Sequence, residues 1–144
     1  MNPPPANVKP FGLGVKAIIF DKEGRCLLLK RSGQSHHFAS CWEWPGGKVN
    51  GGEDFVSALL REIREETSLD GQITGFAGAV EFEIPAVRCV LLCMEVSVAS
   101  SEVRLSGEHE DFAWTALSDF RKFSFAPGVD EFMQSYASRR STFQ

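Results

Sequence analysis

Several features that define particular protein classes are absent from this sequence. No apolar run approaches the ~20 residues that a membrane-spanning helix needs. The four cysteines form no CxxC pair and have no metal-ligand spacing with the three histidines. The net charge of −4 excludes the strongly basic surface of a general nucleic-acid-polymer binder. We therefore expect no membrane association, no polymer partner, and the reduced, structural cysteines of a cytoplasmic protein.

The length and composition are those of one soluble globular domain. The chain has 144 residues, of which 43% are hydrophobic and 24% are charged. This is enough to build a core without disulfides or a structural metal. We place the domain at residues 11–139. The proline-rich residues 1–10 are expected to form a disordered tail, and residues 140–144 a short C-terminal tail.

The order of the expected elements is that of a mixed α/β protein. β-rich runs cover residues 12–21 and 25–31 with a hairpin signal between them, and a short strand is expected at 41–44. A helix follows at about 54–67, then strands at 72–84, 87–98 and 112–117, and a last helix at about 129–137. Because strands and helices do not alternate regularly, we predict a mixed sheet with helices on its faces.

Three glutamates of the first expected helix are spaced in a way that packing does not explain. Glu62, Glu65 and Glu66 follow an i, i+3, i+4 pattern, which places their carboxylates on one face of the helix. The apolar stripe of the same helix consists of Phe55, Ala58, Leu59 and Ile63. Glu62 and Glu66 fall inside that stripe, and Glu65 lies at its edge. The inward face of the helix therefore changes from hydrocarbon to carboxylate.

Clustered carboxylates on a partly buried face repel one another and lose hydration. A divalent cation such as Mg²⁺ would relieve this repulsion, since it prefers oxygen ligands and completes its shell with water and phosphate. A solvated acidic patch, or salt bridges with Arg61 and Arg64, would account for the three glutamates equally well. The glutamates alone leave these alternatives open.

The segment around the glutamates resembles a known family motif, the Nudix box GX5EX7REUXEEXGU, in which U is a bulky apolar residue. The positions that match are Gly47, Glu53, Arg61, Glu62, Ile63, Glu65, Glu66 and Leu69. The run from Trp42 to Lys48 is similar to the strand and loop that precede the box in MutT-like members. The resemblance implies an α/β fold, the Nudix α/β/α sandwich, with a mixed sheet and the loop–helix motif.

The resemblance also implies roles for the charged side chains of the box. Glu62, Glu65 and Glu66 would bind Mg²⁺, with Mn²⁺ as a substitute, and would position or deprotonate the attacking water. Glu62 could be a ligand, the general base, or both. Glu53 and Arg61, eight residues apart, would form a salt bridge that orients the loop.

Residues outside the box complete the expected site. The carbonyl of Gly46 and the carboxylate of Glu108 would be further metal ligands by resemblance. Lys48 and Arg31 follow strand ends near the loop, and we expect them to contact phosphate, with a solvated cation as the alternative. The three histidines, including His109, are candidates for acid–base chemistry, although a polar surface position is commoner.

Aromatic and acidic residues are the candidates for reading the base. Trp44 and Phe82 are candidate stacking platforms, with core packing as the alternative. The loop at residues 123–132 resembles the region in which oxidised-guanine hydrolases read the base with asparagine or aspartate. If this loop reads a base edge, Asp130 is the one obvious acidic reader close to the Pro127-Gly128 turn, and no asparagine follows Asn50. By that resemblance, the lack of a later asparagine weakens the case for an oxidised guanine substrate without excluding it.

One box position departs from the family pattern. Ser68 stands where the motif has glycine, just after the end of the helix. A residue there is expected in the left-handed conformation, where serine costs roughly 1 kcal/mol relative to glycine. The departure affects the turn, and we expect activity to survive.

The expected function is Mg²⁺-dependent hydrolysis of a diphosphate linkage in a nucleoside diphosphate derivative. A nucleoside triphosphate, oxidised or not, cleaved to monophosphate and pyrophosphate is favoured by the resemblance to the MutT-like branch. ADP-ribose or a nucleotide sugar is the alternative substrate class, and a non-catalytic nucleotide sensor is the alternative of another class. The protein is expected to be a monomer or a homodimer.

Overall fold

The computed structural model describes residues 8–142. Its strands are β1 (Phe11–Phe20), β2 (Cys26–Arg31), β3 (Trp42–Glu43), β4 (Gly46–Lys48), β5 (Gly71–Ile84), β6 (Val87–Val98) and β7 (His109–Thr115). The helices are α1 (Phe55–Thr67), a 3₁₀ helix (Leu117–Lys122) and α2 (Val129–Thr142). The expected elements are all present. Strand β4 and the 3₁₀ helix are additions that the sequence pattern did not indicate.

The strands form one mixed sheet. Its order is β3-β2-β1-β6-β5, with β4 paired to β1 and β7 paired to β2. Strands β1 and β6 are parallel over ten residues, and the other pairs are antiparallel. The predicted mixed sheet is confirmed. The parallel pairing places the first strand beside a strand about 75 residues further along the chain, a neighbour that periodicity does not reveal.

Alternating side chains of the strands build a separate core on each face of the sheet. On β1, Val15, Ala17 and Ile19 belong to one cluster together with Leu59 and Ile63 of α1. The intervening Ile18 belongs to the other cluster, with the 3₁₀ helix and α2. That second cluster includes Trp44, Phe120, Phe125, Met133 and Tyr136. The two helices therefore cover opposite faces, which is the predicted α/β/α arrangement.

Helix α1 has well-defined caps at both ends. The side chain of Asp54 accepts a hydrogen bond from the Ser57 N–H across 2.8 Å, as an N-cap residue does. Ser68 closes the other end in the left-handed conformation, with φ of 63° and its N–H donated to the Arg64 carbonyl. The predicted left-handed serine is present. Phe55, assigned to the apolar stripe, is 40% exposed, because the stripe begins to face the sheet only at Ala58.

The chain ends differ from the expected tails. Residues 1–7 and 143–144 of the expected tails lie outside the described residues. Within the described part, Lys9 pairs with Glu83 at 2.8 Å, and the Pro10 carbonyl accepts the Arg88 N–H. Helix α2 runs on to Thr142 rather than ending near 137. The domain limits at 11 and 139 therefore exclude residues that belong to regular structure or contact the sheet.

The cysteines are unpaired, as expected: all four are free thiols. Burial raises the pKa of Cys26 and of Cys93 to about 12, which keeps both as thiols. No helix within residues 8–142 is long and apolar enough to span a bilayer.

Candidate active site

A cavity of about 720 Å³ opens between α1, the β3–β4 turn, the β5–β6 strands and the start of α2. Its charged lining lies at one end and includes Lys16, Arg31, Glu43, Lys48, Arg61, Glu62 and Glu108. Its apolar lining comes from β1, β5, β6 and α2 and includes Leu13, Val80, Phe82, Cys89, Leu91 and Phe132. The two kinds of lining suit a ligand with an anionic part and an aromatic part.

The Gly46-Gly47 turn brings the backbone against the carboxylates of α1. Gly46 has φ of 148°, and a Cβ at this position would overlap the Val15 carbonyl oxygen. A Cβ at Gly47 would lie only 2.7 Å from the carboxylate of Glu62. The N–H of Gly46 is donated to Glu66 Oε1 across 3.1 Å. Both glycines are therefore required for the helix carboxylates to approach the turn.

Glu66 is the most deeply buried carboxylate of the site, at 2% exposure. Burial raises the pKa of Glu66 well above its ordinary value, the ammonium of Lys16 opposes that rise, and the carboxylates of Glu43 and Glu62 add to it. The charges of Glu62 and Glu66 therefore oppose one another, and a bound cation would relieve that repulsion.

Arg61 forms hydrogen bonds to the loop before α1 and to two carboxylates of the helix. Its guanidinium contacts both oxygens of Glu53, at 2.8 and 3.0 Å, in a bidentate pair. It also donates to Glu62 at 3.1 Å, to Glu65 at 3.2 Å and to the Lys48 carbonyl at 3.2 Å. The pKa of Arg61 is raised, chiefly by its hydrogen bonds to Glu53. This geometry agrees with an orienting role.

Glu65 and Glu108 are more exposed than the other two carboxylates of the expected cluster. The side chain of Glu65 is 58% exposed and contacts Arg61. Glu108 is also exposed, and it lines the cavity. The structure brings Glu108 to the same cavity as Glu62, although the two residues are far apart in the sequence.

The residues expected to bind substrate separate into two groups. Arg31, Lys48 and Phe82 line the cavity, and Phe82 makes an edge contact with Phe38 at 6.0 Å between ring centroids. Trp44 borders the cavity, but it is 1% exposed and its ring packs edge-on against Phe120, Phe132 and Tyr136. That packing places the Trp44 ring in the core instead of in a stacking position.

Asp130 does not join the other site residues. It is exposed and lines a shallow concavity together with Arg121 and Gln134, apart from the main cavity. The chain turns at Pro127-Gly128 so that Val129 and Phe132, rather than Asp130, face the cavity. The geometry does not support a base-reading role for Asp130.

Three polar residues of the site with largely buried side chains were missed or underrated from the sequence: Lys16, Glu43 and His109. Lys16 Nζ lies 2.9 Å from Glu43 Oε1, and Glu43 Oε2 lies 3.0 Å from Arg31 Nη1 and 2.7 Å from His109 Nε2. His109 Nδ1 is 3.3 Å from Glu66 Oε2. The sequence contains two signals that could have indicated them: a lysine inside the apolar run of β1 and a glutamate between two tryptophans.

The charges of this buried group stabilise one another. Burial raises the pKa of Glu43, but Lys16, the hydrogen bond from His109 and Arg31 outweigh it and hold the pKa well below its ordinary value. Burial lowers the pKa of Lys16, and the carboxylates of Glu43 and Glu66 more than reverse that effect. Glu43 is therefore a carboxylate, and Lys16 an ammonium, at neutral pH.

The site has the donor set that a divalent cation requires. Glu66 Oε2 is buried and has no hydrogen-bond partner among the described residues. The adjacent Glu62 carboxylate lies over the side-chain-free Gly47. Oxygen ligands of this kind suit Mg²⁺, and the residues present fit the expected metal.

The comparisons with known proteins identify the family of the chain. The NUDIX domain family matches residues 10–136. The CTP pyrophosphohydrolase of Escherichia coli (strain K12) is 26% identical over 127 residues, covering 88% of this chain and 93% of that protein. The asymmetrical bis(5'-nucleosyl)-tetraphosphatase of Sus scrofa is 37% identical over 100 residues, covering 65% of each.

A solved structure shares the whole fold. The crystal structure of the MutT protein from Methanosarcina mazei Go1 superposes with a TM-score of 0.84 at 29% identity, covering 92% of this chain and 96% of that one. The chain belongs to the Nudix hydrolase family, as its box segment predicts. The predicted fold class is confirmed.

Proposed function

We propose that this protein hydrolyses a nucleoside triphosphate to the monophosphate and pyrophosphate in a Mg²⁺-dependent reaction. The observation that carries the proposal is the adjacency of the Glu62 and Glu66 carboxylates to the Gly46-Gly47 turn at the charged end of the cavity. Two neighbouring carboxylates beside the glycines that begin β4 form a site where a metal-bound phosphate would fit.

The residues that would hold the metal are Glu62, Glu65 and Glu66, with the Gly46 carbonyl and Glu108 as further ligands. When bound, the cation would neutralise charge on the phosphate and lower the pKa of bound water. Glu62 lies at the cavity surface, where it would orient or deprotonate the attacking water. Arg61 would keep Glu53, Glu62 and Glu65 in register and acts as a positioning residue.

The phosphate chain would extend along the cationic side of the cavity. Lys48 is exposed at the end of β4, next to the turn, and would contact the phosphate. Arg31 already donates to Glu43 and to the His37 carbonyl, so it would act mainly by orienting these groups. Of the two cations, Lys48 is therefore the stronger candidate for direct contact.

The apolar end of the cavity would hold the base by shape and stacking. Phe82 and Leu91 stand on neighbouring strands of one face, and Gly12 and Gly14 of β1 leave that face uncovered. The apolar lining residues Leu13, Val80, Phe82, Leu91 and Phe132 have no side-chain carboxylate or amide to pair with a base edge. This supports a nucleotide substrate without a requirement for an oxidised base.

The test is product analysis with Mg²⁺ across canonical and oxidised nucleoside triphosphates, ADP-ribose, nucleotide sugars and dinucleoside polyphosphates. Release of pyrophosphate and monophosphate from triphosphates, with lower turnover of the other classes, is expected. Preferential cleavage of ADP-ribose or a nucleotide sugar would replace the triphosphate proposal. Tight nucleotide binding without any turnover would favour the sensor alternative.

A further inference from the structure

A second set of possible metal ligands shares one carboxylate, that of Glu66, with α1. It consists of Glu43 at the end of β3, Glu66 in the last turn of α1 and His109 at the start of β7. One ligand atom from each of these residues lies within 4.8 Å of the others. The side chains of Glu66 and His109 are 2% and 1% exposed, so bulk solvent does not reach their polar atoms.

The hydrogen-bond partners of Glu43 determine that Nε2 of His109 carries a hydrogen. Glu43 is a carboxylate that pairs with Lys16 at 2.9 Å and Arg31 at 3.0 Å. Its Oε2 lies 2.7 Å from His109 Nε2, so Nε2 carries the hydrogen and donates it. The other ring nitrogen, Nδ1, faces Glu66 Oε2 and can bind a proton or a cation.

Two unpartnered polar atoms face each other in the interior. His109 Nδ1 and Glu66 Oε2 are 3.3 Å apart, and neither has a hydrogen-bond partner among the described residues. Two buried polar atoms at this distance need either a shared proton or a shared cation. The separation also matches shared coordination, because two ligand atoms each ~2.1 Å from one ion and ~100° apart are ~3.2 Å from each other.

We propose that His109 Nδ1 and Glu66 Oε2 bind one divalent cation together, while Glu43 holds the imidazole from the opposite nitrogen. The carboxylate–histidine–metal arrangement is the one that orients imidazole ligands in metal sites. A nitrogen ligand favours Mn²⁺, Co²⁺ or Zn²⁺ over Mg²⁺. The inference rests on the proposed function only in treating Glu66 as a metal ligand. It adds a ligand and a preference among ions that the box carboxylates do not supply.

The arrangement lies beside the main cavity. Glu43 and Gly46 both line the cavity, and Gly46 donates its N–H to the other oxygen of Glu66. The ammonium of Lys16 is bound to Glu43 Oε1 and the Trp44 carbonyl, on the oxygen that does not face His109. Lys16 therefore does not occupy the oxygen of Glu43 that contacts His109.

The direct test is electron spin-echo spectroscopy of Mn²⁺ bound to the full-length protein, without nucleotide. The wild type should show ¹⁴N coupling from a coordinated imidazole. The His109→Gln variant should lose it, and His36→Gln, at an exposed residue outside the cavity, should keep it. The Mn²⁺ dissociation constant of His109→Gln should rise at least ~tenfold, with a smaller change for Mg²⁺.

Bound Mn²⁺ without ¹⁴N coupling in the wild type, or coupling that survives His109→Gln, would overturn the inference and indicate a shared proton between Glu66 and His109. If His109→Gln fails to fold, the His36→Gln/His37→Gln double variant decides, since His109 is then the sole remaining histidine of three. Coupling must persist in it and change on ¹⁵N-histidine labelling. A wild type that shows coupling but turns over no nucleotide would refute the proposed function and leave this site standing.

Discussion

Glu66 accepts the backbone N–H of Gly46 across 3.1 Å, and this hydrogen bond joins the last turn of α1 to the glycine turn between β3 and β4. The bond fixes one oxygen of the carboxylate, while the other remains unpartnered and buried. A glutamine at this position would keep the bonded oxygen and lose the charge. Glu66 therefore links the stability of the fold to its metal-dependent chemistry.

Glu66→Gln should stabilise the metal-free protein while destroying metal-dependent function. The buried carboxylate lies beside those of Glu43 and Glu62, so removing its charge relieves desolvation and repulsion. Thermal unfolding in chelator should show a higher Tm for Glu66→Gln than for the wild type. Added Mg²⁺ or Mn²⁺ should raise the wild-type Tm and leave that of the variant nearly unchanged. A lower Tm of the variant in chelator would show that the charge is already compensated.

Gly14→Ala should weaken nucleotide binding without unfolding the protein. A Cβ at Gly14 would lie 2.7 Å from Leu91 Cδ2, and this flexible side chain would turn into the cavity that it lines. KM for the nucleotide should rise by about tenfold, the cost of a methylene group in a fitted pocket. Gly107→Ala is the matched control, because a Cβ there meets nothing within 4 Å. Equal KM values for Gly14→Ala and Gly107→Ala would show that the base does not bind beside Gly14 and Leu91.

Ser68→Gly should raise the free energy of unfolding by up to ~1 kcal/mol, because glycine adopts a φ of 63° without the Cβ clash. The hydroxyl of Ser68 contacts the Arg104 carbonyl at a long 3.5 Å and offsets little of this gain. Ser68→Ala separates the two effects, since it keeps the clash and removes the hydroxyl. Urea unfolding should rank glycine above serine and serine at or above alanine. Alanine as stable as glycine would mean that the left-handed cap costs nothing.

Asp21→Asn should destabilise the protein at neutral pH and less so in acid. Burial raises the pKa of Asp21, but hydrogen bonds from the Arg25 and Glu23 backbone N–H groups and the Arg25 side chain hold it below its ordinary 3.8. A depressed acid pKa contributes stability above pH ~3.8, and this contribution is lost as the pH falls through the folded-state pKa.

Urea unfolding should therefore show a deficit of about 1–2 kcal/mol for Asp21→Asn at pH 7, and a smaller one near pH 3. Asp70→Asn is the control, since Asp70 forms an exposed pair with Arg64 and should change stability little. A deficit for Asp21→Asn that is equal at both pH values would show that the charge of Asp21 is not what stabilises the turn.

The box and its helix could be predicted from the sequence because their information is local. Spacing along one helix places Glu62 and Glu66 on one face, and a glycine position predicts the strained cap at Ser68. The neighbours of that helix could not be predicted in this way. His109 meets Glu43 because β2 pairs with both β3 and β7, which brings together two residues that are 66 positions apart in the sequence.

The surroundings of Trp44 and Asp130 could not be predicted from the sequence either. Trp44 was a candidate stacking platform and Asp130 a candidate reader of the base edge. The packing of α2 and the 3₁₀ helix buries the Trp44 ring, and the start of α2 leaves Asp130 outside the cavity. Which residue of this turn faces the cavity depends on how the first turn of α2 is rotated about the helix axis. Composition and residue spacing do not determine that rotation.

The most direct test of the account is Mg²⁺-dependent hydrolysis of nucleoside triphosphates by the wild type, the Glu65→Gln/Glu66→Gln double variant and Glu102→Gln. Glu102 is an exposed residue far from the cavity lining and controls for loss of a surface charge. The account predicts pyrophosphate release by the wild type and Glu102→Gln, none above background by the double variant, and folded circular dichroism spectra for all three. Turnover by the double variant at the wild-type rate would contradict the assignment of the α1 carboxylates as the catalytic metal site.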